Sequence, residues 1–365
     1  MFLAYCAISI LWSDYPELSF KRWIKFVGDL VMVLVVLSDL NPTAALKRLL
    51  AWEGFLLIPL SVLFIKCYPT LGGGYRPESM ATFWTGVTTD KNTLGIVCVV
   101  LGVGATWRLL EELERENGSG RLGPLTANSI LLAMILWVLW IANSMTSVAC
   151  FLMAITLLIV SRIGRWGTTP ALVHMLFWGI LFPAFAVLFL GMGLGLMNVM
   201  GRDSTLTGRR EVWSYVLTMG VNLLVGTGFE SFWVGPRLEK IWSHYWWRPN
   251  EAHNGYLEIY LNLGSIGVSL LVFVLVTSYR KIVAAVHSGK KAGSLRLGYF
   301  LVAITYNFTE AGFKAMNPVW FFLLLAIIGI PELWGDDSSP EYELEEEEDL
   351  LNASPIEEMR YSRPY

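Results

Sequence analysis

Residues 256–278 read YLEIYLNLGSIGVSLLVFVLVTS, an apolar run with a single charge, Glu258, near its start. About 20 such residues wound as a helix cross the hydrocarbon of a bilayer. A second run, 172–200, reads LVHMLFWGILFPAFAVLFLGMGLGLMNVM and contains no Asp, Glu, Lys or Arg. The polar stretch 201–254 lies between them, so a loop is tethered at both ends to segments that belong in lipid. Backbone N–H and C=O groups in lipid must be satisfied within the spanning structure, and the period-2 alternation of a membrane barrel is missing. The spans are therefore expected to be helical.

The whole chain follows the same pattern. Hydrophobic residues make up 55% of the 365, charged residues 16%, and the mean hydropathy is +0.52, which excludes an ordinary soluble domain. Hydropathy and breakers predict an all-α, polytopic membrane protein with ten spans near residues 2–11, 24–40, 49–65, 94–110, 129–143, 147–160, 172–195, 256–278, 297–311 and 319–330. The predicted organisation is seven spans in 1–200, a large outer loop in 201–255, three spans in 256–333 and an acidic tail in 334–365. Residues 1–11 lack a basic leader and read as a short, retained first span. The net charge of −3 is dominated by acidic residues clustered in 336–349, and without them the body is net basic. That tail has too little apolar area to fold and is expected to be disordered.

Short-loop basic residues orient the spans. Lys47 and Arg48, Arg162 and Arg165, and Arg280, Lys281, Lys290, Lys291 and Arg296 fall on one side, which is read as cytoplasmic. Both termini then lie inside and the 201–254 loop outside; Lys21, Arg22 and Lys25 dissent. The four cysteines, Cys6, Cys67, Cys98 and Cys150, are scattered singly and support neither a disulfide framework nor a cysteine metal site. There is no Walker A sequence and no HExxH spacing, so neither an ATP-driven pump nor a zinc hydrolase is indicated. Gly191, Gly193 and Gly195 lie inside a predicted span and read as close helix packing.

The loop carries the chemistry-bearing residues. Arg202, Arg209, Arg210, Arg237, Lys240 and Arg248 are interleaved with Trp213, Trp233, Trp242, Trp246 and Trp247. Val212, Tyr215, Val216 and Met219 fall at amphipathic spacing and predict a surface helix over 209–224, ended by glycines and Pro236, then an aromatic loop. His253 stands at the mouth of the eighth span, where imidazole is suited to proton transfer near neutral pH; capping the helix that starts at Gly255 is its alternative role. Guanidinium groups at a lipid interface suit a phosphorylated lipid or a pyrophosphate leaving group. Arg76, Lys91 and Asn92 lie on the same predicted face, as do Glu310 and Lys314, whose i, i+4 spacing allows them to pair with each other.

These residues resemble the O-antigen ligase and polymerase superfamily of bacterial envelope enzymes. The strongest likeness is His253-Asn254, nine residues, Gly264, two residues, Gly267. The segment 201–209 with Trp213, and the segment 90–95 (DKNTLG), are similar to two further family stretches. The resemblance implies metal- and cofactor-independent transfer of a glycan from an undecaprenyl-pyrophosphate carrier to an acceptor hydroxyl, at the periplasmic face of the inner membrane. It casts His253 as general base and Arg209 as the group opposing leaving-group charge. Arg202, Arg210, Arg76, Lys91, Asn254, Arg248 and Glu310 are then candidates for holding pyrophosphate or substrate. The implied partners are the lipid-linked donor, a glycolipid or glycan acceptor and membrane lipids. A ligase acting on lipid A core, as in lipopolysaccharide biosynthesis, is the first reading and a repeat-unit polymerase the second. A lipid-glycan transporter is a third, disfavoured because polar residues concentrate in one loop and few mid-span charges, such as Asp29, occur.

Overall fold

The computed structural model describes residues 1–76, 81–114, 122–162, 169–189, 205–290 and 292–329. Helices α1 (Phe2–Ile8, continued by a 3₁₀ turn to Trp12), α2 (Pro16–Leu37), α3 (Pro42–Cys67) and the short α4 (Pro69–Gly72) come first. Strands β1 (Gly73–Arg76) and β2 (Ala81–Trp84) then pair antiparallel, Gly73 opposite Trp84. Next come α5 (Lys91–Glu114), α6 (Leu122–Ala142), α7 (Met145–Arg162), α8 (Pro170–Phe189), α9 (Thr205–Leu217), α10 (Gly235–His244), α11 (Gly255–His287), α12 (Gly293–Tyr306) and α13 (Pro318–Ile327).

Among the described residues α3, α5, α6, α7 and α11 are long and apolar enough to cross a bilayer, and residues 2–12, 170–186 and 318–327 form shorter apolar helices. The chain is thus an all-α, multi-pass membrane protein. Helix α5 is its axis: 72% of its most apolar stretch is buried, against 28% for α3. A helix apolar on every face is buried on every face, and Val, Ile and Cys side chains of α5, with its buried glycines, pack against α3, α6, α7, α12 and α13. Outer helices turn Trp52, Trp140, Leu152 and Phe182 outward. Buried polar groups are tied locally or between helices. Thr106 Oγ1 donates to the Gly102 carbonyl at 2.8 Å, and the Tyr299 hydroxyl to that of Val100 at 3.1 Å.

The two ends of the bundle differ. At one end Lys47 meets Glu111 at 3.0 Å, Arg162 meets Glu114 at 3.1 Å, and Arg296 Nε donates to the Ala326 carbonyl at 2.7 Å. Lys47, Arg162 and Arg296, grouped on one face by sequence, share this end, and Arg165 and Lys291 lie outside the described residues. At the other end the starts of α5, α11 and α13 gather beside the loop. Arg22, which dissented from the charge pattern, belongs here, where it pairs with the carboxylate of Glu230 at 3.8 Å and donates to its carbonyl.

Several expectations are corrected. The ninth predicted span, 297–311, is helical only to Tyr306, because buried Asn307, Thr309 and Glu310 form turns in place of helix. The surface helix ends at Leu217, ahead of Gly220 with φ +69°, and does not reach Leu224. Its predicted apolar face is real: Val212 and Val216 pack with Phe232, Ile241, Tyr245 and Leu261. Pro236, read as a breaker, sits in the first turn of α10, where its missing N–H costs nothing. Gly191, Gly193, Gly195 and the acidic tail lie outside the described residues.

Helix α11 is interrupted at Gly264, whose φ of 63° and ψ of −167° leave the helical region. The loop segment 222–228, a run of turns, fills the gap. Ser265 and Ile266 N–H groups donate to the Leu223 and Leu224 carbonyls at 2.9 and 3.1 Å, while Thr227 and Gly228 donate to Leu261 and Asn262 at 3.1 and 2.8 Å. Backbone groups freed by the kink are thereby satisfied by protein. A Cβ at 264 would overlap the Leu224 backbone. Gly264→Ala is therefore expected to cost on the order of 1–3 kcal/mol in backbone conformation alone, with the overlap in addition. Thermal melts in detergent should show a clear loss for this variant and none for Gly28→Ala, where a Cβ meets nothing within 4 Å.

Candidate active site

Three helix starts place the candidate residues. Asp90 Oδ1 accepts from the N–H groups of Asn92 (2.9 Å) and Thr93 (3.0 Å), which fixes Asn92 in the first turn of α5. Asn254 caps α11: its Oδ1 accepts from Leu257 N–H at 3.0 Å and its Nδ2 donates to the Phe308 carbonyl at 3.2 Å. Asn317 caps α13 through Val319 N–H at 2.9 Å. The turn segment 307–317 between α12 and α13 is held internally, Asn307 Oδ1 accepting from Gly312 (2.8 Å) and Phe313 (3.1 Å). It is also held by Asp29 of α2, which accepts from Met316 N–H at 2.9 Å. Gly255 N–H reaches the carbonyls of both Asn307 (2.9 Å) and Glu310 (3.0 Å). Any side chain at 255 would run into the Asn307 amide, so only glycine lets 307–310 approach the His253 segment this closely.

Buried Glu310 stands at the centre. Its Oε1 accepts from Asn92 Nδ2 (3.0 Å) and Arg209 Nη2 (2.9 Å), and its Oε2 lies 3.1 Å from His253 Nδ1. Arg209 Nη1 also donates to the Thr309 carbonyl. His253 Nδ1 is equally close, 2.9 Å, to Glu251 Oε1, whose Oε2 takes Lys314 Nζ at 2.6 Å. With carboxylates on both sides, Nδ1 carries a proton; the imidazole Nε2 has no partner among the described residues, and the side chain is 36% exposed. Nε2 is thus the nitrogen that can exchange a proton with a ligand.

The charges tune one another. Burial pulls the His253 pKa down, but hydrogen bonds to Glu251 and Glu310, and their charges, outweigh it and raise the value to about 9. Burial lifts that of Glu251, yet its hydrogen bond to His253 and the Lys314 charge bring it down to about 2. Burial also works against the Lys314 ammonium, and the Glu251 charge reverses the effect, leaving its pKa raised. At neutral pH two carboxylates therefore face three cations, Arg209, Lys314 and protonated His253. Within this group of five the positive charges are one in excess, which suits an anionic ligand, while Glu258 and Glu230 act on Lys314 from outside the group. Glu251, His253 and Glu310 also offer three ligand atoms within 4.8 Å, a set able to hold a metal ion. Arg209 and Lys314 already neutralise those carboxylates, which works against a further cation.

Of the residues singled out in the sequence, His253, Arg209, Asn254, Glu310, Asn92 and Lys314 come together here. Asn254 spends both polar atoms on holding α11, and it, not His253, is the cap. Lys91 is the first residue of α5, next to Asn92. Arg210 is exposed on α9 with no hydrogen-bond or ion-pair partner among the described residues. Arg248 lies over the Trp242 ring at 5.7 Å and makes no hydrogen bond or ion pair with the Glu310 cluster among the described residues. Arg202 and the side chain of Arg76 lie outside the described residues. The expected Glu310–Lys314 pair is not formed: 307–317 is not helical, so i, i+4 neighbours do not meet, and Lys314 pairs with Glu251 instead. Glu251 was missed as a site residue, although its place two before His253 was a signal.

No family model matches the chain. It is similar to the exopolysaccharide production protein ExoQ of Rhizobium meliloti (strain 1021), with 26% identity over 293 residues, which are 76% of this chain and 63% of ExoQ. The chain spans less than two thirds of that relative's length.

The charge cluster makes stability depend on pH in a definite sense. His253, raised from 6.5 to about 9, contributes stability that is complete below pH 6.5 and lost as pH rises through about 9. Glu251, lowered from 4.5 to about 2, contributes stability that is complete above pH 4.5 and lost as pH falls through about 2. Melting temperatures in detergent should fall between pH 6.5 and 9 in the wild type, and His253→Gln should flatten that limb. An identical alkaline limb in both proteins would refute the ion-pair geometry.

Proposed function

We propose that the chain transfers a glycan from an undecaprenyl-pyrophosphate carrier to an acceptor hydroxyl at the periplasmic face of the bacterial inner membrane. The observation that carries this reading is the cluster on Glu310: an imidazole with a free Nε2, a buried orienting carboxylate and an excess of positive charge beside a bilayer-spanning bundle. The likeness to ExoQ, a protein of exopolysaccharide production, supports it.

In the neutral form of His253, Nδ1–H donates to Glu310 or Glu251 and the Nε2 lone pair takes the proton of the acceptor hydroxyl. The freed oxygen attacks the anomeric carbon, and the bond from that carbon to the pyrophosphate oxygen breaks with its electron pair. Arg209 keeps N–H donors beyond those given to Glu310 and Thr309, and Lys314 adds a second fixed cation; both oppose charge developing on the departing pyrophosphate. None of these steps needs a metal or cofactor. The loop aromatics are suited to stacking on sugar rings, and the polyprenyl chain lies among the apolar helices.

Two acceptors fit this chemistry. The name of ExoQ favours the growing exopolysaccharide chain, hence a repeat-unit polymerase, over the lipid A core of a ligase. Proteoliposomes given a polyprenyl-pyrophosphate glycan with both acceptors separate the two: lengthening on the carrier marks a polymerase, and product on lipid A core marks a ligase. His253→Ala should lower turnover by about 10²- to 10⁴-fold. Transbilayer movement of the donor without a covalent product would favour transport instead.

Because the base must be neutral while resting His253 holds its proton to about pH 9, kcat/KM should climb with pH and level off only above that value. A profile that is flat from pH 6.5 upward would remove His253 from the base role.

A further inference from the structure

His253 has a φ of +50°, in the left-handed region that non-glycine residues seldom occupy. Such a conformation persists only where its surroundings enforce it. The peptide before it is gripped at both ends by side chains. Trp213 Nε1 of α9 donates to the Ala252 carbonyl at 2.7 Å, and the Ala252 N–H donates to Glu258 Oε1 at 2.5 Å. Glu258 is itself fixed by neutral donors: Trp233 Nε1 lies 2.9 Å from each carboxylate oxygen, and Asn262 Nδ2 lies 3.5 Å from Oε2. Asn262 is held in turn, accepting from Phe232 N–H at 3.0 Å and donating to the Glu258 carbonyl at 2.8 Å. None of these bonds reaches the imidazole, and all of them act on the backbone that aims it.

We propose that Glu258, with Trp213, is a positioning residue that holds Ala252 so that His253 Nδ1 sits between Glu251 and Glu310 and Nε2 points toward the ligand. The inference rests on the glycan-transfer reading for its kinetic consequence and on geometry alone for the placement of the imidazole. Both Glu258 oxygens accept hydrogen bonds, so an isosteric amide would set an N–H₂ group against another donor. Ala252 would lose its anchor without any change in side-chain volume. Arg209, Lys314, Glu251 and Glu310, the charged groups facing His253, make no hydrogen bond to Glu258, whose charge does act on Glu251 and Lys314.

The test uses the full chain in proteoliposomes as wild type, Glu258→Gln and Trp213→Phe. Transfer kinetics are measured together with the pH dependence of diethylpyrocarbonate modification of the His253 peptide, read by mass spectrometry, since only neutral imidazole reacts. Glu258→Gln should leave the donor KM within about twofold and lower kcat by about 10- to 100-fold, the scale on which partners of a functional histidine act. Its modification midpoint should fall by about one pH unit or more as the imidazole leaves its carboxylates. Trp213→Phe, which removes one hydrogen bond, should move both quantities the same way, kcat by about 3- to 10-fold. Wild-type kcat and midpoint in both variants would overturn the proposal. Should Glu258→Gln fail to fold, Trp213→Phe decides alone. If even the wild type transfers no glycan, the glycan-transfer reading falls, while the modification midpoints still decide whether Glu258 and Trp213 place the imidazole.

Discussion

One buried carboxylate, that of Glu310, joins four parts of the chain far apart in sequence: Asn92 at the start of α5, Arg209 on α9, His253 before α11 and its own turn after α12. Taking a carboxylate out of water is costly unless charge and hydrogen bonds replace the solvent. Here a guanidinium, an amide and an imidazole do so. The same requirement makes the site and the fold interdependent. Removing Arg209 would leave Glu310 buried with a poorer set of partners, and removing Glu310 would leave Arg209 only the Thr309 carbonyl, loosening one of the ties between the loop helix and the bundle. Effects of substitutions in this network are therefore not additive.

The loop is also bound through its backbone. At Gly264 the helix opens and the loop segment 222–228 supplies hydrogen-bond partners to both sides of the break. Eight residues separate this joint from Gly255, where the 307–310 turn meets the start of the same helix. The first turns of α11 are consequently clamped at both ends by segments that carry site residues or lead into them. Glycine stands at each clamp because backbone, not side chain, makes the contact. That is the physical content of Gly264 in the spacing after His253-Asn254, whereas Gly267, the other spaced glycine, lies under the Leu263 side chain.

Much of this was legible in the sequence. Apolar runs marked the helices, the spacing of Val212 and Val216 marked the buried face of α9, and short-loop charges grouped Lys47, Arg162 and Arg296 at one end of the bundle. What could not be read were departures from local rules. The turn at 307–310, Asn-Phe-Thr-Glu, directly follows an apolar run that no glycine or proline ends, and only tertiary bonds to Asn307 and Glu310 show why the helix stops. The Glu251–Lys314 pair spans a large separation in sequence, and no periodicity announces it. Glu258 looked like a lone charge at the edge of a span, because its donors, Ala252 N–H and two side chains, are assembled only by folding.

The electrostatics of the cluster pull in two directions under the proposed reaction. With His253 protonated, three cations face two carboxylates, and the excess charge favours an anionic donor. With His253 neutral the excess is gone, but only then can Nε2 accept the acceptor's proton. Binding and reactivity are thus tied to opposite states of one nitrogen. The arrangement relieves the conflict in part, because Arg209 and Lys314 stay charged in either state and are fixed by Glu310 and Glu251. The donor's pyrophosphate keeps its two permanent cations when the histidine gives up its proton. A neutral His253 is then a loss of one interaction in three for the donor, set against the gain of a base within reach of the acceptor.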